Sequence, residues 1–229
     1  MAYLLRILEP GTMDYPQACR LQEEWLERIR MSHSDEAVLI LLEHPPVITI
    51  GRSGTARNII APAAALAASG VTVHTSSRGG DVTYHGPGQV VGYPILPLWR
   101  HGKDIHRYLR SVEQVLIEVL DGYGIPAFRR DGYTGVWTER GKIASIGIAV
   151  RHWITYHGFA LNVSPMMEHF RLINPCGLSG IRMTSMAEFL RPTPTCSDVG
   201  RAIIERFSEH FGFTLCVHEG TGVSCEAKS

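Results

Sequence analysis

The chain lacks an excess of charge of either sign, a paired-cysteine motif, a long apolar run and any internal repeat. Its 229 residues carry 22 Lys+Arg against 22 Asp+Glu, a formal net charge of zero at pH 7. A dedicated nucleic-acid binder would show a basic excess or stripe, so that class is not expected. No apolar run approaches the roughly 18–20 residues that cross a bilayer, and Met1–Glu9 does not read as a secretory signal. The five cysteines, Cys19, Cys176, Cys196, Cys216 and Cys225, are scattered without a CxxC pair. They fit neither a disulfide framework nor a standard zinc site, and reduced thiols in a cytoplasmic protein are the simplest reading. No GKS or GKT follows a glycine loop, so no nucleotide site is expected.

Apolar residues make up 45% of the chain, enough for a substantial core. No Pro/Gly/Ser linker interrupts it, which favours one domain over residues 1–217, with 218–229 expected to be a polar, disordered tail. Ala2–Leu8, Ala37–Glu43, Val71–Thr75, Gln89–Leu96 and Phe213–Val217 read as strands. Pro16–Met31, Pro62–Ser69 and a segment from Ser197 to about Phe211 read as helices. A long helix follows Asp104, with Ile105, Leu109, Val112, Leu116 and Leu120 recurring at three and four and the aspartate as its cap. Gly135–Thr138, Lys142–Arg151 and Ile154–Val163 form a β meander turning at Arg140-Gly141 and His152-Trp153. Adjacent strands break any regular βαβ alternation. The expectation is a single α/β (α+β) domain, a mixed sheet flanked by helices.

Four segments can carry chemistry. Arg78-Gly79-Gly80-Asp81-Val82-Thr83-Tyr84-His85-Gly86-Pro87-Gly88-Gln89 holds four glycines that let a backbone close on a ligand. On composition alone it is equally an ordinary turning loop. Gly141–Ala149 places Lys142 at the head of a strand of small and apolar residues, where a solvated lysine at a hairpin mouth is the blander alternative. Tyr156–Val163 carries His157 near the start of an apolar strand, more often hydrogen-bonded structure than a catalyst. Cys176 lies between Pro175 and Gly177, two residues that define a tight turn. A small buried apolar thiol is the competing reading there. Ligation of a metal by His85, His157 and Cys176 has no supporting local spacing.

Taken in order and spacing, these segments resemble the octanoyltransferase family of lipoate biosynthesis, also called lipoyl(octanoyl) transferases. The resemblance rests on Arg78–Gln89, Gly141–Gly147, His157–Val163 and Asn174-Pro175-Cys176-Gly177, together with Leu41–Gly51 as an N-terminal strand pair, and it spans all but about the last dozen residues. Ser164-Pro165-Met166-Met167 departs from the family, which often has an acidic residue after the Leu-Asn-Val strand. It implies a fold shared with lipoate–protein ligases and the catalytic module of biotin ligases. It further implies transfer of an octanoyl or lipoyl group from acyl carrier protein to a specific lysine. The acceptors would be lipoyl domains of 2-oxoacid dehydrogenases and the glycine-cleavage H protein. By motif position, Cys176 would carry the acyl thioester and Lys142 would serve as acid and base. Substrate-binding residues would be Arg78, Gly79, Gly80, Asp81, Val82, Thr83, Tyr84 and His85, then Ser145, Ile146 and Gly147, then Gly158, Phe159 and Ala160. No metal, cofactor, nucleic acid or membrane is implied. Arg78, Arg129, Arg130 and Arg151 are expected to form a local basic rim for acidic protein partners. The alternatives are an ATP-dependent lipoate- or biotin-type ligase on the same fold, a metal-dependent hydrolase, and a non-catalytic protein that binds acyl chains or their carrier.

Overall fold

The structure is a computed structural model and describes residues 3–175 and 180–219. Its largest element is a mixed sheet built on a strand that is apolar on both faces. In that strand, β2 (Ala37–Glu43), Leu39 and Leu41 point to one side and Val38, Ile40 and Leu42 to the other. A run that is buried on both faces must be covered twice. One cover is α1 (Tyr15–Ser32), which lays Ala18, Leu26 and Ile29 on the Val38 side. The other is a pair of helices, α3 (Ile105–Gly122) and α4 (Cys196–Phe211), whose Val112, Leu116, Ile203 and Phe207 pack on the Leu39 side.

Both helices of that pair start at side-chain caps. Asp104 accepts the Arg107 N–H, as expected. Thr195 caps α4 in a capping box with Asp198, so the helix begins one residue before Ser197.

The strands around β2 are β1 (Tyr3–Thr12), β6 (Gln89–Ile95), β7 (Phe128–Arg130), β8 (Tyr133–Thr138), β9 (Gly141–Arg151), β10 (Ile154–Asn162) and β11 (Phe213–Glu219). Among the described residues they form one sheet in the order β11-β1-β2-β6-β10-β9-β8-β7. β1 pairs in parallel with both β11 and β2, and every other pairing is antiparallel. The meander is therefore present as β8-β9-β10. β11 continues two residues past Val217, into the stretch assigned to the tail; 220–229 lie outside the described residues.

A second, smaller sheet is made of β3 (Val47–Ile50), β4 (Thr72–Thr75) and β5 (Val82–His85), in the order β4-β3-β5. The short α2 (Ala63–Ala68) supplies Leu66 to its core with Ile48, Tyr84 and Phe170. This small sheet carries the glycine-rich segment against the large one. The pairing of β5 with β3, Val47 opposite His85 through Ile50 opposite Val82, turns the middle of that segment from a loop into a strand.

Candidate active site

The glycine loop is fixed by backbone hydrogen bonds to the end of β3. Gly51 N–H donates to the Asp81 carbonyl, Arg52 N–H to that of Arg78 and Ser53 N–H to that of Gly80. The approach is so close that a Cβ on Gly51 would lie 2.3 Å from the Gly80 oxygen. Gly80 itself has φ +84°, where a side chain is strained. On its other side the loop meets the large sheet, with Gly79 N–H donating to Ile148 of β9.

Beneath the loop, two motifs far apart in sequence are direct cross-strand neighbours. Ser145 pairs with Ala160, Ile146 with Phe159 and Gly147 with Gly158. They and the loop enclose a cavity of about 50 Å³. Its lining includes Arg78, Gly80, Asp81, Val82, Thr83 and His85 from the roof, and Ser145, Ile146, Gly147, Gly158, Phe159 and Ala160 from the floor. Lys142 also lines it. Two of the expected residues are not in the lining. Tyr84 points into the small sheet's own core, where its ring packs edge-on against Phe170. Gly79 serves as the bridge to β9.

Arg78 is only 8% exposed. Its Nε and Nη2 donate to Thr49 Oγ1 at 3.1 and 2.8 Å, and Nη2 also reaches the Thr49 carbonyl at 2.6 Å. Asp81 works as a buckle. Its Oδ1 accepts from Val82 N and Thr55 N, and its Oδ2 accepts from Asn58 Nδ2 at 2.6 Å. Asn58 in turn accepts the Asn174 N–H at 2.7 Å through its carbonyl. The glycine loop is thus tied to the chain leading into Pro175. Cys176 and Gly177 lie outside the described residues.

The chain resumes at Gly180 and runs beside Lys142. Lys142 N–H donates to the Arg182 carbonyl at 2.9 Å, and Thr184 N–H donates to the Lys142 carbonyl at 3.0 Å. The Lys142 side chain, 3% exposed, lies with Nζ 5.5 Å from the centre of the Trp137 ring. Burial of this degree sets Lys142 apart from the solvated lysine that its hairpin position allowed.

Several residues of the site lie outside the substrate-binding set expected from the sequence. Tyr15, at the start of α1, stacks on His85 with ring centres 6.5 Å apart and donates to Ser76 Oγ at 2.7 Å. His44 donates from Nδ1 to the Met13 carbonyl and accepts from Tyr93 at Nε2. Val91 and Tyr93 of β6 line the cavity. His157, also in the lining, has φ +56° within a strand, its N–H bound to Gln22 Oε1 and its Nε2 2.9 Å from Ser77 Oγ. A left-handed histidine in a strand is strained. Among the described residues, its Nδ1 and Gln22 Nε2 have no hydrogen-bond partner.

Burial pushes His44 and His157 down to about 4 and holds His85 well below the usual histidine range. Nearby Arg78 adds to the effect at His85 and His157. At neutral pH these rings are uncharged hydrogen-bonding groups. Among the described residues, no three His, Cys, Asp or Glu side chains are grouped to hold a metal.

The expected basic rim does not form as such. Arg78 is buried in the cavity wall. Arg129 is bound to the buried Glu113 carboxylate, and Arg151 to Glu23 and Glu27 of α1. Arg130 lies over the Tyr133 and Trp137 rings. The acidic partners sit on other elements, far away in sequence, so no local pattern signals them.

The sequence model of the lipoyl protein ligase A/B catalytic domain matches residues 14–208. An octanoyltransferase of Geobacter metallireducens is 47% identical over 204 residues, spanning 89% of this chain and 92% of its own. One from Caldicellulosiruptor saccharolyticus is 48% identical over 202 residues, spanning 87% of this chain and 86% of its own. Among solved structures, the bipartite lipoate protein ligase of Thermoplasma acidophilum, described with its E2 lipoyl domain, is similar with a TM-score of 0.71 at 19% identity. That match covers 94% of this chain and 86% of the ligase chain. Biotin protein ligase from Aquifex aeolicus, in complex with biotin and ATP, is similar with a TM-score of 0.53 at 12% identity, over 93% of this chain and 71% of its own. At those identities the structural likeness is one of fold, and that fold is the mixed α/β module expected from the sequence.

Proposed function

The chain belongs to the lipoyl protein ligase A/B catalytic-domain family, among its octanoyltransferases, and from that membership we propose how it moves an octanoyl group onto a protein. It is an acyltransferase of protein lipoylation, and lipoyl domains are its acceptors in general. The finer reading is a two-step transfer from acyl carrier protein to a lysine of a lipoyl domain or of the glycine-cleavage H protein, in the cytoplasm. Cys176 is the acyl carrier within the enzyme. The observation that carries this reading is that residues of the Arg78–His85 segment, Ser145–Gly147 and Gly158–Ala160 line one cavity together with Lys142.

In the first step the Cys176 thiolate attacks the carbonyl carbon of the octanoyl thioester. The thiolate is the competent nucleophile, and free cysteine titrates near 8.5. The bond to the carrier's sulfur breaks, and that sulfur leaves as a thiol after taking a proton held at Lys142. One thioester has replaced another, so the exchange needs no phosphate donor. In the second step the acceptor's lysine amine attacks the acyl-cysteine. Lys142 takes the proton released by that amine, and the Cys176 thiolate leaves. In this reading, backbone N–H groups of the glycine loop stabilise the oxyanion of each tetrahedral intermediate.

The apolar floor suits an acyl chain, and Gly147 lets the glycine loop come down onto it, since a Cβ there would meet the Gly79 oxygen at 2.7 Å. A cavity of about 50 Å³ is well under the roughly 150 Å³ that admits benzene in an engineered protein core. Octanoyl binding therefore widens the space between loop and floor.

The deciding experiment is to incubate the protein with octanoyl-acyl carrier protein alone and measure its intact mass. A hydroxylamine-labile octanoyl adduct, absent in Cys176→Ser, is the expected result. Modification of a lipoyl domain without any such adduct would overturn the covalent route. Octanoate attachment that requires ATP would move the chain to the ligase chemistry of its structural neighbours.

A further inference from the structure

A chain of buried side-chain amides runs from the roof of the cavity to the strand of Lys142, and its direction can be read. Asn162 Nδ2 donates to the Thr184 carbonyl at 2.9 Å, so Asn162 presents its oxygen to Gln89. Gln89 Nε2 donates to that oxygen at 2.9 Å and to the Tyr84 carbonyl at 3.1 Å. Both of its partners can only accept, which fixes the amide's orientation. Gln89 Oε1 is left facing His85 Nδ1 at 3.2 Å. An oxygen acceptor there requires a hydrogen on Nδ1.

The other side of the ring agrees. His85 Nε2 faces Thr49 Oγ1 at 3.5 Å. That hydroxyl already accepts two N–H groups from Arg78, which fills its lone pairs. Its own hydrogen is what it can offer, and an unprotonated Nε2 is what can receive it. A hydrogen on Nε2 would instead add a third donor to a saturated oxygen. The groups facing the ring are Tyr15 from α1, His44 from the connection between β2 and β3, Arg78 from the glycine loop and His157 from β10. His44, Arg78 and His157 disfavour a charged imidazole, and burial disfavours it most.

We propose that Gln89 and Asn162 are positioning residues that hold His85 as its Nδ1–H tautomer, with a bare Nε2 turned to Thr49, and that this seats the Arg78 guanidinium in the acyl cavity. The same chain reaches Lys142 from the other end, since Thr184 accepts from Asn162 and donates to the Lys142 carbonyl. His85 acts here through Thr49 and Arg78 and touches no reacting atom. The placing of Arg78 against the octanoyl donor rests on the transfer reading above; the tautomer does not.

The test is a long-range proton–nitrogen spectrum of the full chain at pH 7 with ¹⁵N-labelled histidine. His85 is identified among the 11 histidines by the signals that disappear in His85→Gln, since His44 and His74 also lie against the Tyr15 ring. Nδ1 is expected to carry the hydrogen and Nε2 to show the shift of a bare nitrogen. A hydrogen on Nε2, or a charged ring, overturns the proposal, and the unsubstituted protein suffices to show it. Gln89→Met removes the acceptor and leaves only the Thr49 contact to fix the ring, so it is expected to give a mixture of the two tautomers and raise KM for the octanoyl donor about tenfold, the effect of one lost buried hydrogen bond. Gln89→Glu keeps an acceptor at Nδ1 and is expected to retain the Nδ1 hydrogen. If Gln89→Met leaves the hydrogen wholly on Nδ1, the amide is not what holds it. An Nδ1 hydrogen together with no Cys176 adduct would leave this proposal standing and remove the transfer mechanism.

Discussion

Gly135 and Lys142 occupy a shared space: a Cβ on Gly135 would lie 2.6 Å from Lys142 Cε, and also 2.6 Å from the Ala144 oxygen. The lysine stem crosses β8 where that strand has no side chain. Gly135 is held there from behind, because its N–H donates to Glu113 Oε1 at 3.1 Å. Glu113 is fully buried on α3 and is ion-paired with Arg110 and Arg129. A stability feature of the helix layer thus fixes the groove in which Lys142 lies.

Gly135→Ala should therefore act on catalysis as well as on folding. The residue has φ +123°, a conformation an alanine avoids, and strain of this kind costs about 1–3 kcal/mol. The added methyl also pushes Lys142 Cε away. The expected result is a fall in kcat of at least about tenfold, the effect of about 1.4 kcal/mol at the transition state. Gly132→Ala is the control. Its φ is +78° and no atom lies within 4 Å of the added Cβ, so it should lose stability with kcat unchanged. Equal loss of kcat in both variants would show that backbone strain, not Lys142, is responsible.

Gly147→Ala tests the floor. Its Cβ would lie 2.7 Å from the Gly79 oxygen and 3.1 Å from Arg78 Cδ. The glycine loop must lift, which breaks the Gly79–Ile148 hydrogen bond. A rise of at least about tenfold in KM for the octanoyl donor is expected, in line with one lost buried hydrogen bond, while the adduct on Cys176 stays hydroxylamine-labile. An unchanged KM would mean that the chain does not lie between Gly79 and Gly147.

The buried histidines predict a loss of stability in mild acid. His44 and His157 titrate at about 4 in the folded protein against a reference of 6.5. The unfolded state then binds more protons than the folded state between those values, so stability is full above pH 6.5 and falls toward pH 4. A shift of that size corresponds to about 3 kcal/mol for each histidine. Urea unfolding at pH 7.5, 6 and 4.5 measures it. His44→Gln should flatten the profile by the share that His44 adds to those of His85 and His157, and an equally steep profile would count against His44. Protonation at His44 Nε2 would also break its bond from Tyr93.

Much of this layout is legible in the sequence because it is local. The three-and-four spacing of α3, its Asp104 cap and the turns of the meander each depend on residues a few positions apart. β5 is not legible as a strand. Val82–His85 is four residues between glycine-rich stretches, and only pairing with β3 makes it extended. β7, three residues long, escapes sequence reading for the same reason. The cavity motifs can be picked out from sequence, but that Gly147 faces Gly158 follows from the register of β9 and β10. Tyr15 and Tyr93 carry no motif at all. They reach the site because α1 and β6 border it, which is a property of topology.

Asp81 offers the sharpest separation of position from charge. Its Oδ1 receives two backbone N–H groups and its Oδ2 receives Asn58 Nδ2. In Asp81→Asn the new amide has one oxygen and one NH₂ for these three donors. With the Asn58 amide in its present orientation, an NH₂ faces another N–H whichever way the new amide turns, and at least one buckle contact is lost. Asn58 holds Asn174 through its own carbonyl, so the damage should pass to the chain that leads into Pro175. Acylation by octanoyl-acyl carrier protein should slow by about tenfold, as for one broken buried hydrogen bond. The exchanged pair, Asp81→Asn with Asn58→Asp, restores the match. In that double variant the amide at position 81 would keep its oxygen on the two backbone N–H groups and give its NH₂ to the carboxylate at position 58. Its acylation rate should return to within about threefold of the original, a residual under about 1 kcal/mol. If the exchange rescues nothing, the negative charge at position 81 is itself required, and the role of Asp81 is electrostatic, not that of a buckle.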